Sequence, residues 1–341
     1  MYKKLIFLTG VIAFFACFTN AVSAAAPYYE DKTIRIIVGY SAGGGYDMYA
    51  RLIARHLGKH LPGKPTVIVE NMTGAGSLIA ANYLYKAAKT DGLTIGHFNG
   101  SLFFNQVLGQ PGVAFDAQKF VFLGAAVKEG MVFLFTKKSG ITSMEKLMAS
   151  KVPVKMAGLA PGVNTDNNIR LIKSAFGLPI QIITGYKGSA DIRIAMEQGE
   201  VAGSSPTWIS IRSAWSKALQ SGDAVVVLQT VPEPFSDLPK VPLAISYAKT
   251  AEARQLIEVG IHDASVFSRA FVLPPGTPRE QVQTLTKAFT ETLQDREFLA
   301  EAEKANLDIE PVTTAELEKS VAAIFKLDQA MLTKLRDILF K

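Results

Sequence analysis

The stretch that decides the fold reads Ile34-Arg35-Ile36-Ile37-Val38-Gly39-Tyr40-Ser41-Ala42-Gly43-Gly44-Gly45-Tyr46-Asp47. Its first five residues are an apolar run that predicts a buried strand, and its glycines predict a tight turn. After the turn, apolar residues recur at helical spacing at Met48, Leu52, Ile53 and Leu57. The sequence therefore predicts a strand that passes through a glycine-rich loop into an amphipathic helix.

A second unit of the same design follows about 30 residues later in the chain. The strand Val67-Ile68-Val69 leads into the loop Asn71-Met72-Thr73-Gly74-Ala75-Gly76-Ser77, and a helix with Leu78, Ala81 and Leu84 comes next. A glycine-rich turn from strand to helix exposes the first backbone N–H groups of the helix, which favour an anion. Two such loops could each hold one end of a small ligand with two acidic ends.

The rest of the chain continues to alternate strands with loops and helices. Further apolar runs that predict strands lie at 93–98, 121–123, 131–135, 152–156, 180–183 and 201–203. This alternation predicts an α/β fold with largely parallel sheets. Ligands of such sheets bind outside the carboxyl ends of the strands, which is where the glycine-rich loops fall.

The first residues have the layout of a secretory signal. Met1-Tyr2-Lys3-Lys4 precedes an apolar run from Leu5 to Phe18, and small residues follow up to Ala24. The run is about 14 residues, against roughly 20 for a membrane span, so we expect export to the periplasm with cleavage near Ala24. The only cysteine, Cys17, lies in this segment. A lipoprotein acylated at Cys17 is the alternative, and the residues before it match an acylation box poorly.

Composition excludes some functions. The formal net charge is +6, from 36 Lys and Arg against 30 Asp and Glu, and no block of Lys or Arg is present. Such a balance does not indicate nucleic-acid binding, which usually needs a concentrated basic stripe. It is compatible with a small acidic ligand. Without a cysteine after the signal, the chain has no thiol chemistry and no thiolate metal site.

One motif points to an enzyme. Gly39-Tyr40-Ser41-Ala42-Gly43 matches Gly-x-Ser-x-Gly, the turn that carries the nucleophile of α/β-hydrolases. A secreted serine hydrolase that uses Ser41 is therefore the alternative function, with Asp237 and His262 as its acid and base. The motif is short, and it lies on the first strand, whereas a hydrolase has several strands before its nucleophile.

Two histidines have the spacing of metal ligands. His56 and His60 are four residues apart, but Leu57 stands where the zinc motif has Glu, and Gly58 interrupts the helix. We therefore expect exposed residues near a helix C-terminus and no metal. We expect Asp47, at the end of the first loop, to cap the helix by accepting backbone N–H groups, because its charge would repel a bound anion.

The chain resembles the substrate-binding proteins of tripartite tricarboxylate transporters, also called Bug receptors. The resemblance covers essentially the whole chain after the signal. The segments that carry it are Ile34–Val38, Gly43–Asp47 with Ala50-Arg51, Val69–Gly76, Asp91–Ile95, Tyr186–Ala190, Gly199–Val201 and Pro274–Pro278.

The resemblance implies a type II-like two-domain periplasmic binding protein. Each domain would be a largely parallel sheet flanked by helices, with the ligand cleft between them. Residues 25–126 plus 240–341 would form domain 1, and 127–239 would form domain 2. The implied function is a monomeric receptor without enzymatic activity or cofactor. It would capture a di- or tricarboxylate or an aromatic acid and deliver it to the membrane subunits of a tripartite transporter.

The resemblance also implies where the ligand binds. Backbone N–H groups and ordered water in the loops 39–47 and 71–77 would hold carboxylates, and the second domain would contribute from 158–166, 186–190 and 204–208. The expected ligand-binding residues are Tyr40, Ser41, Gly43, Gly44, Gly45, Tyr46, Gly74, Ala75, Gly76, Ser77, Asn99, Asn164, Thr165, Lys187, Gly188, Ser189, Ser205 and Trp208. Three departures leave the ligand open. Gly39–Ala42 replaces a Pro-rich lead, Tyr46 replaces Thr, and Met72-Thr73 replaces Arg-Pro.

Overall fold

The structure is a computed structural model that describes residues 26–340. The expected signal segment with Cys17 lies outside these residues. The described strands, in chain order, are β1 (Thr33–Val38), β2 (Thr66–Asn71), β3 (Thr94–His97), β4 (Val121–Ala125), β5 (Val132–Thr136), β6 (Val154–Ala157), β7 (Ile180–Ile183), β8 (Gly203–Ser204), β9 (Ala224–Gln229) and β10 (Ala270–Leu273).

The described helices surround these strands. They are α1 (Gly45–Leu57), α2 (Leu78–Lys86), α3 (Leu102–Val107), α4 (Met144–Met148), α5 (Asn164–Phe176), α6 (Ser189–Gln198), α7 (Trp208–Ala214), α8 (Ser216–Ser221), α9 (Ala251–Ile257), α10 (Asp263–Ser265), α11 (Arg279–Gln294), α12 (Arg296–Lys304), α13 (Thr314–Ile324) and α14 (Gln329–Phe340). Within residues 26–340, none of these helices combines the length and apolar character needed to cross a membrane.

The strands form two five-stranded sheets, which confirms the α/β class. The order is β2-β1-β3-β10-β4 in the first sheet and β7-β6-β8-β5-β9 in the second. Each sheet is mixed, because β10 and β5 run antiparallel to both of their neighbours. These two strands are entered from the other sheet, so no strand-helix-strand crossover imposes a parallel direction on them.

The pairing of the first strands brings the two glycine-rich loops together. β1 pairs with β2 in parallel from Thr33 opposite Thr66 to Val38 opposite Asn71. Both strands therefore end side by side, and the loops that follow them leave the same edge of the sheet.

β1 is apolar on both faces because helices cover the sheet on both sides. Ile34, Ile36 and Ile37 are fully buried. Leu52 and Ile53 of α1 are fully buried as well, and α1 contacts β1, β2, α11 and α12. Complete burial of one such side chain is worth about 1.5–3 kcal/mol, so this layer fixes the position of the helix N-terminus.

The chain passes between the sheets twice, in the segments 126–131 and 230–269. The two crossing segments touch, since Glu129 N donates to Ser265 O at 3.1 Å. Helix α9, within the second segment, packs against α5 of the second sheet. The domain bounds expected from the sequence remain a prediction.

Candidate ligand-binding cleft

The N-terminus of α1 opens toward the second sheet. Gly44 is its N-cap, in an extended conformation, and no side chain caps the helix there. The first N–H groups of α1 therefore lack acceptors within the helix, and the positive end of its dipole lies with them. Gly44, Gly45 and Tyr46 are all buried, so this donor-rich end is shielded from bulk water.

The Asp47 side chain stabilises the first glycine-rich loop by hydrogen bonds. Its Oδ2 accepts from Gly43 N and from Arg51 Nε, both at 2.9 Å, and its Oδ1 accepts from Asn71 Nδ2 at 2.9 Å. Burial disfavours the charged carboxylate, but the hydrogen bonds from Arg51, Gly43 and Asn71 outweigh it and lower the pKa of Asp47. The negative charge of Asp47 is thus balanced by Arg51, and its hydrogen bond from Asn71 links the first glycine-rich loop to the second.

The loops of the two sheets are in contact across the cleft. A Cβ on Gly45 would lie 1.8 Å from Ser210 Oγ, and a Cβ on Gly188 would lie 2.3 Å from Ser41 Oγ. Ser41 Oγ donates to Asp191 Oδ2 of α6 at 3.1 Å. Glycine is therefore required where a loop of one sheet approaches a loop of the other sheet. The cleft between the sheets is closed in this conformation.

A cavity of about 40 Å³ lies between the loops where they meet. Its lining comes from both sheets and both crossing segments, and consists of Tyr40, Gly44, Gly45, Tyr46, Glu129, Leu159, Asn164, Thr165, Ser189, Pro206, Thr207, Ser210 and Arg269. One buried water needs roughly 10–15 Å³ of such space, so the cavity is small. A four-carbon acid would need the two sides to separate for entry and to reclose around it.

Among residues 26–340, Arg269 is the only cation that lines this cavity, and it is 2% exposed. Its Nη2 donates to Thr207 Oγ1 at 2.8 Å and to Ser210 Oγ at 3.2 Å, and its Nε donates to Glu129 Oε1 at 3.2 Å. Burial opposes its charge, but Glu129 outweighs burial and raises the pKa of Arg269. Its Nη1 is buried and has no hydrogen-bond partner among the described residues.

A polar network extends from Arg269 across the cleft. Glu129 Oε2 accepts from Asn164 Nδ2, and Asn164 Oδ1 accepts from Asn99 Nδ2 and Thr165 N. Asn99 Nδ2 also donates to Tyr40 Oη at 2.9 Å. The network joins the end of β3 to the start of α5, so it links the two sheets.

The structure brings part of the expected site together. The expected residues that line the cavity are Tyr40, Gly44, Gly45, Tyr46, Asn164, Thr165 and Ser189. Others border it through contacts described above, namely Ser41, Gly188 and Asn99. Ser205 lies one layer deeper, where its Oγ accepts from Asn168 Nδ2 and donates to Val132 O.

The remaining expected residues lie away from the cavity. Gly43 and Lys187 are exposed. The second glycine-rich loop packs against the second sheet's loop instead, since a Cβ on Gly76 would lie 2.3 Å from Val163 Cγ1. Its neighbours Gly74 and Ala75 are outside the cavity lining.

Ser77 and Trp208 have structural partners. Ser77 is fully buried, and its Oγ accepts from Asn99 N at 3.1 Å. The Trp208 indole packs beside Phe235 and donates to Asp237 Oδ1 at 3.0 Å. Both residues therefore stabilise the loops from positions outside the cavity lining.

Sequence reasoning missed the charged pair in the cleft. Glu129 and Arg269 are 140 residues apart, and neither belongs to a glycine-rich loop. The one available signal is their position. Glu129 stands between two apolar runs, and Arg269 directly precedes the strand Ala270–Leu273. Both therefore stand where the chain crosses between the sheets.

The geometry around Ser41 does not assemble the expected arrangement with His262 and Asp237. Its hydrogen bond goes to Asp191. Asp237, the expected acid, instead accepts from Trp208 and from Arg212 Nη1 at 3.2 Å. Among the described residues His262 is not bonded to either of them, and burial lowers its pKa. The Gly-x-Ser-x-Gly match is thus a loop that closes against α6.

His56 is buried, contrary to the expectation of an exposed residue, because α12 packs over it. Its ring meets Phe298 edge-on, and its Nε2 lies 2.7 Å from Glu301 Oε2. His56, Asp295 and Glu297 place potential ligand atoms within 4.8 Å of one another. The Lys59 ammonium already lies 2.9 Å from both of those carboxylates, so a side-chain cation pairs with each of them.

A larger surface groove of about 800 Å³ lies elsewhere, between α6 and α8. It is lined by exposed or half-buried side chains such as Lys138, Glu197 and Lys217. None of the glycine-rich loops reaches it. The buried polar groups that could recognise a ligand converge on the small cavity instead.

Two mixed sheets, joined by two crossing segments and closed on each other through their loops, match the two-domain periplasmic binding proteins. The structure of the periplasmic binding protein BugD superimposes with a TM-score of 0.75 at 20% identity, covering 91% of this chain and 99% of that one. MatC from Rhodopseudomonas palustris with bound malate superimposes with a TM-score of 0.70 at 17% identity, covering 90% and 99%.

The sequence comparison gives the family. The tripartite tricarboxylate transporter family receptor (TctC) model matches residues 49–335, so the chain belongs to this family. A Cupriavidus necator relative, named as the UPF0065 protein in the gbd 5' region, is 24% identical over 318 residues, covering 92% of this chain and 90% of the relative. The expected family and fold are therefore confirmed, and both are those of substrate-binding receptors.

Proposed function

We propose that this protein is a periplasmic receptor that captures a small organic carboxylate and delivers it to the membrane subunits of a tripartite transporter. It acts as an exported monomer without catalytic activity. Its two domains, 25–126 plus 240–341 and 127–239, close around the ligand. The contact of α9 with α5 favours a return crossing somewhat later than residue 240, near the end of α9.

One observation carries the proposal. The buried cavity between the sheets brings the uncapped N-terminus of α1 and the Arg269 guanidinium to one place. The free Nη1 of Arg269 and the first N–H groups of α1 are donors without acceptors. A carboxylate supplies the acceptors and the negative charge that both features favour.

Relatives support the chemistry of the ligand. The MatC structure holds malate, a small carboxylate, and shares the fold of this chain. At 17% identity this likeness shows the shared fold alone. The class of ligand is therefore proposed from the cleft of this chain, and the relative shows that the fold can hold such an acid.

The test is thermal unfolding of the protein, refolded to remove bound ligand, against mono-, di- and tricarboxylates and aromatic acids. A ligand at 100 times its Kd adds about 2.7 kcal/mol to the free energy of unfolding, which corresponds to roughly 5–11 °C in Tm for domains of this size. A selective shift with one acid class is the expected result. Absence of any shift, with no acid released from the unfolded protein in mass spectrometry, would contradict the proposal.

A further inference from the structure

The cleft contains a buried anion, which a receptor for anions does not obviously need. Glu129 is 4% exposed, lines the cavity, and forms an ion pair with Arg269 at 3.2 Å. The carboxylate therefore cancels the formal charge of the Arg269 guanidinium. The pair retains one donor without a hydrogen-bond partner among the described residues, the buried Nη1 of Arg269.

Glu129 also lines a second cavity, which is rich in hydrogen-bond acceptors. This cavity of about 20 Å³ shares Glu129 and Asn164 with the first and is also lined by Asn167 and Asn168. Among the described residues, Asn167 Oδ1 and Asn168 Oδ1 are buried without hydrogen-bond partners. Two buried acceptors beside a carboxylate favour a ligand group that donates hydrogen bonds.

The orientation of both amides is fixed by their other hydrogen bonds. Asn167 Nδ2 donates to the carbonyl oxygen of Gly162 at 3.2 Å, and a carbonyl can only accept. Asn168 Nδ2 donates to Ser205 Oγ at 2.6 Å, and that hydroxyl donates onward to Val132 O. Flipping Asn167 would oppose two acceptors, and flipping Asn168 would do the same while the Ser205 hydroxyl donates to Val132 O, so the free atoms are the oxygens.

We infer that the ligand of this cleft carries one carboxylate at one end and an uncharged or cationic N–H group at the other, and that Glu129 sets this selectivity. The inference rests on the proposed receptor function. The single carboxylate accepts from Arg269 Nη1 and the N-terminus of α1. The N–H end donates to Glu129 and the amide oxygens. A second carboxylate at that end would face Glu129, and like charges in a buried site repel strongly.

The test uses ligands that differ at one end only. Succinate, glutarate and adipate are compared with their monoamides and with the ω-amino acids of the same length, by isothermal titration of the refolded protein. At the best chain length, the N–H-bearing ligand is expected to bind at least tenfold tighter than the diacid. The amide and amino arms distinguish a neutral donor from an ammonium group.

A matched variant assigns the selectivity to Glu129. Glu129→Gln removes the charge and keeps the size of the side chain, so the preference for the N–H-bearing ligand should fall at least tenfold or reverse. A purely structural role would weaken all ligands alike and leave the ratio unchanged. Glu303→Gln, at an exposed acid of α12, is the control and should leave the ratio as in the parent.

The outcomes separate the inference from the proposed function. If the diacid binds more tightly than its monoamide, or if Glu129→Gln leaves the ratio unchanged, the inference is overturned while the receptor function stands. If the refolded protein binds a small carboxylate outside these series, selectivity is measured on that acid and its amide. If it binds none, the receptor function itself is contradicted.

Discussion

Gly45→Ala tests whether the glycine-rich loop is required for closure of the cleft. Gly45 is the first residue of α1 and faces α7 of the second sheet. An added methyl group would lie 1.8 Å from Ser210 Oγ and 3.0 Å from Arg269 Nη2 in the closed conformation. The Ser210 contact crosses the cleft and is lost when the two sheets separate, and Ala is the better helix former. The unfolding free energy of the ligand-free protein should therefore not fall.

The magnitude follows from the bonds that Ser210 must break. To make room, its hydroxyl gives up the hydrogen bonds with Thr207 Oγ1 at 2.6 Å and with Arg269 Nη2 at 3.2 Å. A neutral hydrogen bond contributes about 0.5–1.5 kcal/mol and one to a charged group about 1.5–3 kcal/mol. The loss of about 2–4.5 kcal/mol on closure should weaken ligand binding about 30-fold to 2,000-fold.

The assay is isothermal titration with the acid that gives the largest thermal shift. Ser210→Ala alone should cost up to the same amount, and Gly45→Ala with Ser210→Ala should cost little more, because both changes remove the same bonds. Unchanged affinity in Gly45→Ala would refute the argument. Additive losses in the double variant would show that the two residues do not meet in the bound state.

Three further predictions concern single groups. Arg269→Met with Glu129→Gln removes both charges, so its unfolding free energy should stay near that of the parent, whereas Arg269→Met alone should lose about 3–5 kcal/mol. Titration should show that the double variant still binds the acid about 10-fold to 150-fold more weakly. Unchanged affinity would exclude Arg269 from the site. Burial raises the pKa of Asp166 to about 7, so the folded protein keeps this proton at pH values where the unfolded chain has lost it. The unfolding free energy should therefore fall by about 2–3 kcal/mol between pH 5 and pH 8. Asp166→Asn should flatten this pH dependence in urea unfolding, and a profile identical to that of the parent would show that Asp166 is ionised throughout. The parent should not hydrolyse p-nitrophenyl esters, and Ser41→Ala should weaken binding about 10-fold to 150-fold by loss of its bond to the Asp191 carboxylate. Turnover that disappears in Ser41→Ala would instead support a hydrolase.

The strand and loop of the first unit could be predicted because their signals are local. Four of the five residues in the run Ile34–Val38 are apolar, and only a strand buried on both faces needs such a run. The glycines Gly44 and Gly45 then mark a close approach of backbone to something else. What they approach, Ser189 and Ser210, depends on how the two sheets meet, which no local pattern encodes.

The direction of a side chain was harder to predict than its position along the chain. Trp208 follows β8 at the edge where ligands bind, yet its indole turns to Asp237. The second glycine-rich loop also ends a strand at this edge, but it packs against Val163. That Trp208 and the second glycine-rich loop contact the ligand remains a prediction.

The charged pair shows a different limit. Glu129 and Arg269 come together only because both crossing segments pass through the cleft. Neither residue lies in a motif, and an isolated charge beside an apolar run usually indicates a surface position. Their burial is a property of the two-sheet topology and could be found only from the structure.

The most direct test of the account is a crystal structure of the protein with the acid that it binds best. We expect a carboxylate oxygen within hydrogen-bond distance of Arg269 Nη1, with a second oxygen at the N–H groups of Gly45 and Tyr46. An acid bound in the groove between α6 and α8, or held by the second glycine-rich loop without contact to Arg269, would contradict it.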